Sequence, residues 1–98
     1  MPGVTHAVVL IRAERSALPD LGGRLAELDG VAEAYSVTGE WDFVAILRVP
    51  ATDDLARVVT EQLATLAGID RTYTMVAFEA YSRHDLEAMF SIGEPGGT

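Results

Sequence analysis

Residues 31–49, VAEAYSVTGEWDFVAILRV, form two runs of β-branched, aromatic and small apolar residues around a short polar interruption. Residues 31–38 and 41–49 are each typical of a β-strand. Gly39-Glu40 between them is typical of a hairpin turn, since glycine readily adopts the positive φ that such turns need. The stretch therefore predicts an antiparallel hairpin in the middle of the chain.

The segment before the hairpin predicts a strand followed by a helix. Residues 4–13, VTHAVVLIRA, are apolar on both alternating faces, as expected of a strand that is buried on both sides. Residues 18–28 repeat leucine at three- and four-residue spacing, which is the pattern of a helix with one apolar stripe. Gly30 is well placed to end that helix.

The segment after the hairpin predicts a second helix and a fourth strand. Thr52 is a suitable N-cap for a helix with Asp53 and Asp54 in its first turn, where the helix dipole favours negative charge. Gly68 ends that helix. Residues 69–80, IDRTYTMVAFEA, are then typical of a strand.

A short C-terminal helix is predicted from Ser82, since Leu86, Met89 and Phe90 are spaced to form one apolar stripe. Its stripe would pack on its own domain or on a neighbouring dimer. The alternative is that it docks on another protein.

The order of these elements predicts the fold class. Strand, helix, strand, strand, helix, strand is the βαββαβ arrangement of the α+β ferredoxin-like fold, with a four-stranded antiparallel sheet and both helices on one face. A chain of 98 residues suits one domain, residues 1–98. We expect an ordered core over about residues 4–92 and a flexible Gly- and Pro-rich tail over residues 93–98.

The sheet face left uncovered by the helices is also predicted to be apolar. The third strand is apolar on both faces. One face carries Trp41, Phe43, Ala45 and Leu47, and the other carries Val44 and Ile46. Apolar patches of several hundred Å² are unusual on soluble monomers. We therefore predict a C2 homodimer with sheet packed on sheet, a dimeric α/β-barrel-like arrangement. The alternative is that the C-terminal segment folds back over this face.

Composition limits the partners. The formal net charge is −8, and the seven basic residues are scattered arginines, so we expect no direct nucleic-acid binding. No apolar run is long enough to span a bilayer, no signal peptide is recognisable, and cysteine is absent. We expect a cytoplasmic protein that does not bind membranes.

Two stretches of the chain resemble a known family. Residues 31–43, VAEAYSVTGEWDF, and residues 66–77, LAGIDRTYTMVA, are similar to the ligand-binding regulatory domain of the Lrp/AsnC transcription regulators, often called the RAM domain. The specific marks are a G-x-x-D loop, Gly39 to Asp42, and a T-x-T segment in the last strand, Thr72 to Thr74. The resemblance covers about residues 4–80.

The resemblance implies a stand-alone version of this domain. Full-length regulators carry a basic helix-turn-helix domain before it, and here the first strand is predicted to begin at about Val4. Operator binding by this chain is therefore not expected. The resemblance implies association with full-length Lrp/AsnC regulators through mixed oligomers, and homo-oligomers larger than the dimer.

The resemblance also implies a site for a small effector, usually an amino acid, in a cleft between dimers. The loop amides around Gly39 would receive the ligand carboxylate, and Asp42 would accept a hydrogen bond from its ammonium group. The full set of implied ligand-binding residues is Tyr35, Thr38, Gly39, Glu40, Trp41, Asp42, Thr72 and Thr74.

Each of these residues also has a purely structural interpretation. Gly39 suits any turn that needs positive φ, and Asp42 can cap loop amides locally. Trp41 can pack in the dimer interface, and Thr72 and Thr74 are ordinary strand residues.

Three functions remain open from the sequence. The first is a non-enzymatic, amino-acid-sensing oligomer that modulates transcription. The second is a small ferredoxin-like enzyme of the monooxygenase type, for which His6 and Trp41 are the only candidate groups; the third is a ligand-free interaction module. The spacing of His6 and His84 predicts no metal site, and we predict no catalytic residues and no cofactor.

Overall fold

The computed structural model describes residues 4–79 and residue 81. Its elements are β1 (Thr5–Ala13), α1 (Leu18–Ala26), β2 (Val31–Ser36), β3 (Phe43–Val49), α2 (Thr52–Arg57) and β4 (Ile69–Val76). A 3-10 turn, Arg15–Ala17, leads into α1. Helix α2 continues through a π turn, Val58–Gln62, and a 3-10 turn, Leu63–Thr65.

The four strands form one antiparallel sheet in the order β2-β3-β1-β4. Its central strands β3 and β1 pair from Thr5↔Val49 to Ile11↔Phe43. With one helix after β1 and another after β3, this is the ferredoxin-like βαββαβ arrangement. The predicted fold is confirmed.

The core lies between the helices and one face of the sheet. Alternate residues of the central strands point into it, which the period of two along a strand requires. The buried residues of the strands are Ala7, Val9, Ile11, Phe43, Ala45, Leu47 and Val49, and those of the helical segments are Leu21, Leu25, Leu55, Val58 and Leu63. The predicted leucine stripe of the first helix is therefore real.

The connection between β2 and β3 is longer than predicted. It is a six-residue loop, residues 37–42, where the sequence predicted a two-residue turn. The backbone N–H of Asp42 donates to the carbonyl oxygen of Ile11 at 2.9 Å. This N–H therefore bonds to β1 and not to β2. The hairpin pairing therefore stops at Ser36 and Phe43.

Several element ends also differ from the predictions. Thr52 begins α2, but the N-cap is Ala51 and no side chain caps the helix. Helix α1 ends at Ala26 instead of residue 28, and β4 ends at Val76 instead of residue 80. The predicted C-terminal helix and the tail, residues 82–98, lie outside the described residues.

The two glycines inside α1 differ in the space beside them. A Cβ at Gly22 would lie 3.1 Å from Phe43 Cε1, so the missing side chain lets Phe43 pack close to the helix. A Cβ at Gly23 would meet nothing within 4 Å. Only the first of the two glycines is required by packing.

Replacing Gly23 by alanine is expected to stabilise the protein by about 0.5–1 kcal/mol, because a glycine in a helix interior costs that much relative to alanine. Urea denaturation should show a higher midpoint with an unchanged slope. Gly22→Ala is the matched control and should gain less, since Phe43 must give way. Equal gains at both positions would contradict the packing difference.

The face of the sheet opposite the helices is open and has an apolar centre. Its residues pair across the strands as Tyr35–Val44–Leu10–Tyr73 in one row and Glu33–Ile46–Val8–Met75 in the next, and His6 pairs with Arg48 beyond them. Tyr35 and Tyr73 are 50% and 56% exposed, and Met75 is 40% exposed. The centre of the uncovered face is therefore apolar in the single chain, while charged residues lie along its margins.

Candidate ligand-binding site

The β2–β3 loop, residues 37–42, lies at the end of the sheet where β1 ends and β4 begins. Its two ends are tied together, since the Val37 N–H donates to the Asp42 carbonyl oxygen at 3.0 Å. The Asp42 N–H holds the loop against Ile11 of β1. The G-x-x-D residues are thereby placed at one edge of the open apolar face.

The carboxylate of Asp42 has a local partner. Its Oδ2 accepts a hydrogen bond from the backbone N–H of Ala13 at 2.8 Å, and the bond is partly buried. Ala13 follows a shift in the β1–β4 register, so its N–H needs a partner outside the regular ladder. Asp42 therefore supports the end of β1, as the structural interpretation of this residue required.

Removing the Asp42 carboxylate is expected to lower stability. Asp42→Ala leaves the partly buried Ala13 N–H without its acceptor, which typically costs about 1–3 kcal/mol. Asp42→Asn retains an oxygen acceptor and should cost less. Urea denaturation of both variants checks this, and equal losses would show that the Asp42–Ala13 bond contributes little.

Trp41 is half-buried beside two arginines that sequence reasoning did not single out. The guanidinium carbon of Arg12 lies 5.7 Å from the centroid of the Trp41 ring, and that of Arg71 lies 5.4 Å from it. Both distances are within the range of cation–π attraction. The sequence predicted that Trp41 shares a face with Phe43, Ala45 and Leu47. That prediction is wrong, because those three side chains are buried on the helix side and Trp41 lies beside the arginines.

Arg12 is also bonded to the loop. Its Nη2 donates to the carbonyl oxygen of Glu40 at 2.6 Å and lies 3.9 Å from the Glu40 carboxylate. Glu40 itself is exposed. Two contacts thus hold the loop on β1: the Asp42 carboxylate bonds to Ala13, and Arg12 bonds to Glu40.

Gly39 and Thr38 form the exposed tip of the loop. Gly39 has φ +107°, a backbone conformation that L-residues rarely adopt, and open space surrounds the position of its missing Cβ. Within the described chain, glycine is thus needed for the turn and not for a close contact. The exposed amides of this tip are free to meet a ligand or another subunit.

The other three predicted site residues lie apart from the loop cluster. Thr72 and Thr74 pair with Ile11 and Val9, so they share the helix-covered face, opposite Trp41 and the arginines. Thr72 lines a cavity of about 200 Å³ between β4 and the end of the second helical segment. Tyr35 is on the open face but on β2, three strands from β4. One chain therefore does not bring the whole predicted set together.

A sequence signal for the two arginines does exist. Arg12 continues the alternation of Val8 and Leu10, and Arg71 begins the alternation of Tyr73 and Met75. Once the ferredoxin-like strand order is assumed, these series lie on adjacent strands and on the same face.

A larger cavity, of about 410 Å³, lies at the opposite end of the sheet, near Gly30 and Val49. Two of its charged lining residues form an ion pair, since Arg57 Nη1 lies 2.9 Å from Asp54 Oδ1. Among the described residues no group of three or more His, Cys, Asp or Glu is placed to hold a metal ion. No helix within residues 4–79 is long and apolar enough to cross a membrane.

The loop, the sheet and the strand order agree with a known domain. Residues 6–86 match the profile of the Lrp/AsnC ligand binding domain. The chain belongs to the Lrp/AsnC ligand-binding domain family. The resemblance found in the G-x-x-D and T-x-T segments is confirmed.

Other proteins are similar to this chain in sequence or in structure. An uncharacterised HTH-type transcriptional regulator of Pyrococcus furiosus, PF0250, is 32% identical over 77 residues, which cover 76% of this chain and 51% of the relative. The chain thus spans about half the length of that regulator. The protein TTHA0845 of Thermus thermophilus is 46% identical with a TM-score of 0.75, covering 81% of this chain and 99% of that one.

The chain is also similar in structure to the transcriptional regulator NMB0573 of Neisseria meningitidis, solved as a complex with L-Met. It superposes with a TM-score of 0.71 over 81% of this chain and 53% of its own. At 14% identity this likeness shows the fold alone.

Proposed function

We propose that this Lrp/AsnC domain is a non-enzymatic, oligomeric sensor that binds an amino acid or related metabolite and thereby modulates transcription. The observation that carries this function is the position of the G-x-x-D loop at the edge of an exposed apolar sheet face. Relatives such as PF0250 are transcriptional regulators, which supports a regulatory role and a cytoplasmic location.

A second copy of the chain would cover the open face. Val8, Leu10, Val44 and Ile46 form its centre, with exposed tyrosines on either side. Burial of such a face is favourable in proportion to the apolar area removed from water. Two antiparallel sheets pack face to face at about 10 Å, and a C2 dimer places the same patch on both sides.

The ligand would bind where the loop of one subunit meets another dimer. The exposed amides of Thr38, Gly39 and Glu40 would receive its carboxylate, and the Asp42 oxygen not bonded to Ala13 would accept from its ammonium group. Thr72, Thr74 and Tyr35 lie too far apart in one chain to complete this site. They would contribute from neighbouring copies, so the site requires an assembly larger than the dimer.

Binding would act by changing the assembly. A ligand shifts an equilibrium only through different affinities for two states, and a site shared between subunits provides that difference. Full-length Lrp/AsnC regulators would be the partners, joined through mixed oligomers of the same domain. The chain itself, with net charge −8, would not contact DNA.

A thermal-shift screen of the twenty amino acids, with light scattering for mass, tests this function. A ligand at about 100 times its Kd adds about 2.7 kcal/mol of stability. The expected result is one chemically related group of amino acids that raises Tm and changes the mass. If no amino acid raises Tm, the sensor in its amino-acid form is wrong; a monomer at micromolar concentration would refute the dimer.

One observation favours a ligand-free interaction module as a second candidate. The Asp42 carboxylate is already bonded to Ala13, and Gly39 is explained by its backbone conformation alone. Such a module would remain dimeric and form mixed oligomers, with no change in Tm for any amino acid. The same screen therefore separates the two functions.

A further inference from the structure

We propose that Arg12 and Arg71, beside Trp41, form an anion subsite, so that the ligand is an acidic one such as a dicarboxylic amino acid. This inference rests on the proposed sensing function and names the chemical class of its ligand. It assigns the specificity to two side chains outside the G-x-x-D and T-x-T segments.

The first support is the placement of like charges. Arg12 and Arg71 are directly opposite each other on the neighbouring strands β1 and β4. Like charges in such positions repel and destabilise the sheet. Two of only seven arginines in a chain with fifteen acidic residues are placed face to face, although a carboxylate opposite either would have been favourable.

The second support is that the pair is only partly neutralised. The Glu40 carboxylate lies 3.9 Å from Arg12, at the limit of an ion pair, and it is 74% exposed. In the part of the chain that the structure describes, Arg71 has no carboxylate within 4 Å. Among residues 4–79, one positive charge therefore remains without a carboxylate partner at the end of the open face.

The third support is that Trp41 orients both guanidinium groups. Stacking on an aromatic ring restrains an arginine while leaving its N–H groups available for hydrogen bonds. A carboxylate matches the planar fork of a guanidinium and can accept two parallel hydrogen bonds from it. An arginine held in this way loses less conformational freedom when it binds an anion.

The surroundings suit the rest of an acidic ligand. Leu10 and Tyr73 are the next residue pair on the same face, two residues along each strand from the arginines. Tyr73, which is 56% exposed on the edge strand β4, offers an apolar surface for a short methylene chain, whereas Leu10 lies in the part of the face that the second copy covers. The loop amides near Gly39, beyond Trp41, would then take the α-carboxylate, and the arginines would take the second carboxylate.

The test uses Trp41 fluorescence, since it is the only tryptophan of the chain, together with thermal shift at constant ionic strength. The probes are glutamate, aspartate and succinate, compared with their neutral amides glutamine, asparagine and succinamide. We expect the acids to change the fluorescence and raise Tm, and the amides to bind at least tenfold more weakly, as losing a charged hydrogen bond implies.

Arg71→Gln should weaken glutamate binding by about tenfold or more and leave the oligomer mass unchanged. Arg24→Gln on the exposed side of α1 is the matched control and should bind glutamate as the wild type does. Arg71→Lys retains the charge without the fork, so an intermediate loss is expected.

Four results separate this subsite from the sensing function. Neutral amino acids that bind as tightly as glutamate would overturn the subsite and leave the sensor intact. Succinate binding that depends on Arg71, without binding of any amino acid, would support the subsite and refute the amino-acid sensor. Absence of binding by every dicarboxylate would overturn the subsite. Dissociation of the oligomer in Arg71→Gln would also overturn it, since the arginine would then pair across the interface.

Discussion

Val44→Glu is expected to convert the proposed dimer into monomers of 10.5 kDa. Val44 lies at the centre of the open face, between Tyr35 of β2 and Leu10 of β1. In the dimer its side chain would be buried against the partner sheet, and a carboxylate there, without a cation, costs several kcal/mol. Light scattering measures the mass, and circular dichroism checks that the fold is retained.

Ala56→Glu is the control for this substitution. Ala56 is exposed on α2, away from the open face, so the same added charge should leave the mass of the dimer unchanged. A Val44→Glu protein that remains dimeric would refute packing of sheet on sheet. Loss of the dimer in both variants would point to net charge instead of the face.

Gly68→Ala is expected to cause the largest loss of stability, more than about 3 kcal/mol. Gly68 has φ +94°, and a Cβ there would lie 2.2 Å from the Cβ of Ala17. Its carbonyl oxygen also accepts a hydrogen bond from the Glu14 N–H at 2.8 Å, which limits how far the backbone can retreat. Urea denaturation, or the soluble yield if the variant does not fold, measures the effect.

Gly39→Ala separates the two causes of this loss. Gly39 also has positive φ, but its Cβ would meet nothing within 4 Å, so only the backbone strain of about 1–3 kcal/mol applies. In addition, Ala17→Gly should restore part of the stability of Gly68→Ala, because it removes the clashing methyl group. Equal losses at Gly68 and Gly39 would contradict the steric account.

The strands and helices were predictable because their signals are local. The two-faced run of residues 4–13 and the leucine stripe of α1 follow directly from the periods of a strand and a helix. The loop length was not predictable in this way. The N–H of Asp42 bonds to Ile11, 31 positions earlier, and no pattern within the hairpin reveals that partner.

The candidate site likewise combines residues that the sequence identified with residues that only the folded structure brings together. Gly39 and Asp42 were identified by resemblance to the family, and their local geometry agrees with a folded loop. Arg12 and Arg71 are 59 positions apart in sequence and become neighbours only through the β1–β4 register. Thr72 and Thr74 share a face, as residues two apart in a strand must, but which face depends on where the helices pack.

The anchoring of the β2–β3 loop has a consequence for how related sequences can vary. A hydrogen bond between Val37 and Asp42 closes the loop, and Asp42 also bonds to β1. The side chains of Thr38 and Glu40 are exposed. Substitutions of the exposed side chains at positions 38 and 40 are therefore accommodated without displacing β1, whereas Gly39 is retained by its positive φ. Position 42 favours residues that offer a side-chain acceptor of the same length, so the frame of the loop persists while the exposed side chains at positions 38 and 40 vary.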